Sequence, residues 1–304
     1  MITFASGCAQ WNPGTGLDRL KRWTEPSNDR DWRPEFAKTS TITRQNQVLS
    51  IRNIRNCNYL SSDDFVVDYY DRQFTVDQIQ TVDFIVVPFQ NAPRLAHTMM
   101  SFGLDDSSYI AVSVEVRKEV GESYSAIKGI GRQYELMYVV SDERDVIRLR
   151  TRHRDADVYV YPTIANPIQA QELFLNIAER VNKLAVDPEF YNTITNNCTT
   201  NLAGHVNEVS PNKIKYGWKV LLPGLSAKYA YDLGLLDTRI PFEDLKTLSH
   251  VNDLAEEHFD DPQFSQLIRS NHSRLERYLA RQALREPTLN ARGQLFLNTI
   301  SKKR

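Results

Sequence analysis

The chain has 304 residues, with 37 Lys and Arg against 38 Asp and Glu and a formal net charge of −1. That balance excludes a strongly basic nucleic-acid surface and a polybasic membrane anchor. At 41% hydrophobic and a mean hydropathy of −0.47, it has no apolar run near the roughly 20 residues that span a bilayer, and it is long enough for one large domain or two ordinary ones.

Residues 1–7 lack the basic and apolar regions of a secretory signal. Ala5-Ser6-Gly7-Cys8 nevertheless has the small-small-small-Cys pattern of a bacterial lipoprotein cleavage site, which makes Cys8 a lipidation candidate; the plain alternative is small residues before an ordinary cysteine. Residues 9–45 carry Trp, Arg, Asp, Pro and Asn with little periodicity, and 27–34 read as an irregular segment packed on something else. Short β-branched and aromatic runs follow at Val48–Ile54, Phe65–Tyr70 and Val82–Phe89. Arg94–Gly103 reads as a strand and Asp105–Ser108 as a turn. Ile110–Val116 alternates with a period of two, placing Ser113, Glu115 and Arg117 on one face. Gly129-Ile130-Gly131 lacks the third glycine of a dinucleotide loop and reads as a turn. Tyr134–Val140 and Val158–Ile164 are further strands, with Glu143–Arg150 between them.

A helix begins at Asn166-Pro167, an N-cap residue followed by proline. Its apolar stripe is Ile168, Leu173, Phe174, Ile177, Val181 and Leu184, and Asp187-Pro188 ends or interrupts it. A second helix, capped by Asn196 or Asn197, has Cys198 in its first turn and carries Leu202, Ala203 and Val206. After a turn at Leu222-Pro223-Gly224 the chain reads as helical. Phe264, Leu267, Ile268, Leu275, Tyr278 and Leu279 make an amphipathic stripe that ends near Glu286-Pro287. Strands followed by helices mean an α+β fold.

The sequence has no G-x-S-x-G elbow, P-loop or H-E-x-x-H motif. Its six histidines are scattered, and Cys198 with His205 has no second ligand pair, so neither a metal nor another cofactor is expected. Three cysteines, Cys8, Cys57 and Cys198, make no disulfide framework, and Cys57 reads as packing. Cys198 is different. In the first turn of a helix, free N–H groups and the helix dipole favour a thiolate and can hold an oxyanion. A nucleophilic cysteine needs a base, and His97 sits in an apolar strand context. His153 instead lies in a solvated basic run, Arg150-Thr151-Arg152-His153-Arg154, and His205 is about 10 Å along the same helix. Glu115, on the strand after His97, has the chemistry to orient an imidazole, with Ser113 as the alternative. The plain readings stand beside these: a small buried cysteine, a core histidine, a Glu115 paired with Arg117 or Lys118, and ordinary capping by Asn196, Asn197 and Thr199.

The segments 28–34, 51–56, Ala96–Gly103, Val114–Glu119, Asp142–Asp145 and Asn196–Asn201 together resemble a bacterial, largely uncharacterised family. It is the one named after the N-terminal periplasmic domain of the lipoprotein transacylase Lnb, and 264–269 is similar to its usual end. The His-before-Cys order also resembles circularly permuted papain-like folds, in which a helix bearing the Cys packs on a small antiparallel sheet bearing the His. The resemblance implies Cys198 as nucleophile, His97 as base and Glu115 as orienting group; the helix start itself makes Asn196, Asn197 and Thr199 the oxyanion or positioning candidates.

The expectation is therefore an α+β chain in three parts. Residues 1–80 form an N-terminal extension, 81–270 a permuted papain-like catalytic-type domain, and 271–304 a helical tail. Its function would be that of a periplasmic or cell-envelope cysteine hydrolase or acyltransferase, acting through a thioester on an ester or amide. Its partner would be a small lipid or peptide substrate at the membrane surface, with no nucleic acid. An apolar groove beside the site would favour acyl chains, and a polar open cleft would favour peptides. The transacylase itself carries membrane-spanning segments that this sequence does not contain, so its reaction is not implied. The rival expectation is a non-enzymatic envelope binding module that uses the Trp- and Arg-rich surface of residues 11–55.

Overall fold

A computed structural model describes residues 24–283, 288–289 and 295–296; Cys8 and the expected helix end near residues 286–287 lie outside the described residues. The strands are β1 (Thr41–Gln45), β2 (Val48–Arg55), β3 (Asn58–Tyr59), β4 (Phe65–Val66), β5 (Tyr69–Thr75), β6 (Ile79–Phe89), β7 (Ala92–Leu104), β8 (Tyr109–Arg117), β9 (Glu135–Asp142) and β10 (Tyr159–Pro162). One eight-stranded sheet runs β1-β2-β9-β8-β7-β6-β10, with β5 also on β2. The fold is α+β, as expected, but the sheet is large, not small. Residues 41–75 add strands to it, and β2 meets β9 in parallel at Arg55 and Ser141, beside otherwise antiparallel pairs.

The run expected as one strand from Phe65 to Tyr70 is split. Asp68 turns the chain: its side chain takes the Tyr69 N–H (2.9 Å) and its carbonyl the Asn56 N–H (2.9 Å). Gly129 lies in a one-turn helix, α1 (Ala126–Ile130), with Gly131 in the turn after it. The segment from Glu143 opens with α2 (Glu143–Arg148), which Asp142 caps by accepting the Arg144 N–H (3.0 Å).

Helices cover both faces of the sheet, so β9 is buried along its whole length, as two-sided burial requires. On one face lies α3 (Pro167–Val186), whose N-cap Asn166 and Gln169 bond each other's backbone (3.0 and 3.1 Å). Leu173, Phe174, Ile177, Val181 and Leu184 are buried, and Phe174 sets its ring edgewise to Phe102, centroids 5.0 Å apart. Ile168 is 65% exposed: on the first turn it points away from the sheet, and Ala170 takes its place in the core. Helix α4 (Cys198–Val209) packs beside α3. The other face is closed by α2 and by C-terminal helices that bury Val251, Ala255, Phe264 and Ile268, while Leu267, Leu275 and Leu279 are only half-buried.

Three buried ion clusters tie distant segments together. Arg30 reaches Glu135 (2.6 Å) near Arg117, whose guanidinium lies 4.2 Å from the Trp32 ring centre. Arg55 grips Asp145 through two bonds (2.7 and 3.1 Å), and Arg269 bridges Asp83 (2.7 Å) and Glu143 (2.9 Å). Within the described part of the Trp- and Arg-rich segment, Trp32 and Arg55 face inward, 8% and 4% exposed, while Arg44 and Arg52 are exposed. Among the described residues no helix is long and apolar enough to cross a membrane.

Candidate active site

Strands β7 and β8 are paired from Gly103 and Tyr109 as far as Met99 and Ser113, and no further. Beyond that point β7 continues on β6 and β8 on β9, so the sheet parts into a notch. Alternation puts Thr98 on the face that carries α4, where its Oγ1 lies 3.3 Å from Thr199 Oγ1. His97 faces the opposite side, with Ser113 and Glu115. The N-terminus of α4 sits over the notch, and there Cys198, from one face of the sheet, and His97, from the other, line one cleft, close enough for each to shift the other's titration.

Asn197 fixes that helix start. Its side chain accepts the Thr200 N–H (2.9 Å) while the Thr200 hydroxyl takes the Asn197 N–H (2.9 Å), leaving Cys198 as the first helical residue. Behind His97 runs a polar chain. Nε2 lies 2.6 Å from Ser113 Oγ and 3.1 Å from Glu115 Oε1; Ser113 donates to the same carboxylate oxygen (2.6 Å), as does Arg150 (3.2 Å). With Nε2–H directed at these acceptors, Nδ1 is left for the thiol.

Burial opposes charge in all three groups, and their mutual attraction wins. It pushes Cys198 up, but the hydrogen bond and charge of His97, with Thr98 bonding the sulfur, bring its pKa down to about 7. Burial lowers His97, yet Glu115 and Cys198 raise it to about 9. Glu115 is raised by burial and driven well below the ordinary carboxylate value by His97, Arg150 and Ser113. Cys57 is the contrast: burial, then Asp145, lifts its thiol to about 11.

Of the residues expected at the site, the structure brings together Cys198, His97, Glu115 and the alternative Ser113, so both orienting groups contact one ring nitrogen. Asn197 lines the same cleft, although its amide is committed to the Thr193 carbonyl (2.7 Å). Asn196 is turned away, bonded to the Phe190 carbonyl (3.0 Å) and Asn201 (2.8 Å). Thr199 is buried behind the cysteine. His205, weighed with Cys198 as a ligand pair, instead bonds Tyr138 (2.7 Å) and Asn176.

Arg150 and Thr98 were missed. Arg150 is 5% exposed, not part of a solvated basic face, because α2 continues as a wide turn through His153 that points it under β8. Thr98 had a signal, its place beside His97 on a strand, but nothing in the sequence said which helix would cover it.

The cleft at Cys198 encloses about 590 Å³, is open to solvent and is lined by mixed polar and apolar groups, among them Tyr124 and Tyr191. A separate apolar cavity of about 160 Å³, lined by Leu173, Leu202, Val206 and Thr199 among others, lies between the sheet, α3, α4 and the C-terminal helices. Cys198 does not line it.

The family described as Lnb N-terminal periplasmic domain matches residues 66–224, a little over half the chain, including His97, Glu115 and Cys198. The chain belongs to that family. No curated protein and no solved structure matches it.

Proposed function

We propose that this member of the Lnb N-terminal periplasmic domain family is a cysteine-dependent hydrolase or acyltransferase of the cell envelope, acting on an ester or amide. The observation that carries the reading is Cys198, at a helix start, sharing one cleft with His97, whose Nε2 lies against Ser113 and Glu115. The reading includes a permuted papain-like core, supported by a Cys-bearing helix packed on a sheet that bears the His.

In this mechanism His97 Nδ1 takes the thiol proton and the thiolate attacks the substrate carbonyl carbon. The oxygen of the tetrahedral intermediate is held by backbone N–H groups at the start of α4. As the intermediate collapses, the bond to the leaving group breaks, that group receives the proton from His97, and a Cys198 thioester remains. Water or an amine then attacks the thioester, His97 takes the attacking group's proton, and the thiol is regenerated. Glu115 and Ser113 hold the ring and stabilise its charged form. The Ala5-Ser6-Gly7-Cys8 pattern extends the proposal to a lipid-anchored protein.

The test is acylation by p-nitrophenyl acetate followed by intact-mass and peptide analysis. A single acetyl adduct on Cys198, lost in Cys198→Ala and strongly reduced in His97→Ala, is expected. Equal, slow labelling of all the cysteines refutes the proposal.

A further inference from the structure

At the Cys198 cleft the positive charges outnumber the negative charges available to them. Arg55 is committed to Asp145, Arg150 to Glu115, and Glu35 to Arg33 (2.9 Å). Lys118 and Arg154 also line the cleft, and neither forms an ion pair among the described residues. Lys118 is half-buried against the Phe36 ring (5.5 Å), and Arg154 is exposed on a turn fastened to the end of β6 by a bond from Gln90 to the Asp155 carbonyl. The cations act on one another. Burial first, then Arg33 and Arg154, make Lys118 harder to protonate, against an opposing pull from Glu115 and Glu35, and Arg154 likewise weighs on the buried Arg150. Cations held in a partly desolvated cleft with fewer counter-charges than cations are costly, and a bound anion relieves that cost.

We propose that Lys118 and Arg154 form an anion subsite beside Cys198, so that the ester or amide attacked there carries a phosphate or carboxylate near its reacting carbonyl. The inference rests on the thiol reading above and adds its specificity. Arg154 supplies a planar fork and Lys118 a point charge, a combination suited to an oxyanion.

Iodoacetate and iodoacetamide, near-equal in size and differing in charge, test it. The wild type should react at Cys198 with a high iodoacetate-to-iodoacetamide rate ratio. In Lys118→Gln/Arg154→Gln the ratio should fall about fivefold or more, and in Lys118→Arg it should stay near the wild-type value. Arg154→Gln alone, at an exposed position, should give a smaller fall should the double variant fold poorly. A ratio unchanged in these Gln variants overturns the subsite. Calorimetry with inorganic phosphate and with glutarate is the second arm, and tells the two anion chemistries apart. Should Cys198 resist both alkylating reagents, the thiol reading fails, and calorimetry still decides the subsite: saturable binding of either anion, lost in the Gln variants, upholds it, and no saturable binding overturns it.

Discussion

Replacing His97 with alanine removes the imidazole whose influence outweighs burial at the Cys198 thiol. The thiol pKa, about 7 in the intact site, should then rise to its ordinary 9.0 or above, since burial is left opposed only by Thr98. At pH 7 the thiolate fraction drops from about one half to about 1%. A more basic thiolate is intrinsically more nucleophilic and recovers part of the loss, so alkylation at pH 7 should slow by about 5- to 50-fold. The assay is the rate of iodoacetamide labelling of Cys198 from pH 5 to 10, followed by peptide mass spectrometry. Cys57, with its thiol near 11, serves as the slow internal control. The wild-type curve should rise through about pH 7 and the His97→Ala curve above pH 9. A wild-type midpoint at 9 or higher, or the same midpoint in both proteins, refutes the reasoning.

Glu115 has a folded pKa below its ordinary value and His97 one above, so their pairing stabilises fully between pH 4.5 and 6.5. Its contribution fades as pH rises through about 9, where folded His97 loses its proton, and as pH falls through the depressed Glu115 value. Glu115→Gln should therefore lower Tm most near pH 5.5, with a smaller loss at pH 9.5; equal losses at both count against the pairing. Leu173, 4% exposed on α3, should cost about 2–5 kcal/mol on truncation to alanine, measured by urea unfolding. A loss under 1 kcal/mol would mean that it does not seat in the core. A Cβ on Gly224 would lie 2.0 Å from the Pro93 carbonyl oxygen and 2.9 Å from Arg94 Cα. Gly224→Ala should destabilise by about 1–3 kcal/mol in the same assay and slow Cys198 labelling, because the push falls on the strand that carries His97. Unchanged stability and labelling would show that the loop yields freely.

The reading of the site from sequence rested on local signals. Period-two alternation put Ser113 and Glu115 on one face, and Asn-Asn before a helical pattern put Cys198 in a first turn; both features are set by neighbours in sequence and both are present. What local pattern does not carry is where a strand stops pairing. The parting of β7 from β8 after Met99 and Ser113, which lets residues on opposite faces meet, depends on α4 and the far side of the sheet. Arg150 was illegible for a similar reason: in a run of Arg and His it looks solvated, and only the path of the turn after α2 buries it. The motif segments near Arg55, Asp145 and Arg269 were visible as words, but their use as buried ion pairs needs partners up to 186 positions away. Sheet size was misjudged because the strands of residues 41–75 are short and half-polar, and they complete themselves only against β9 and one another.

The notch makes the acidity of one thiol a gauge of tertiary docking. Cys198 and His97 belong to different layers, so a state that keeps its helices and strands but loosens their contact leaves the sulfur an ordinary, protonated thiol at neutral pH. On the proposed mechanism the thiol is thus dormant in the unfolded chain and becomes acidic only when sheet and helix close on each other. A destabilising core substitution far from the cleft should lower the reactive fraction in step with the folded fraction, so labelling of Cys198 reads the folding equilibrium through a chemical bond.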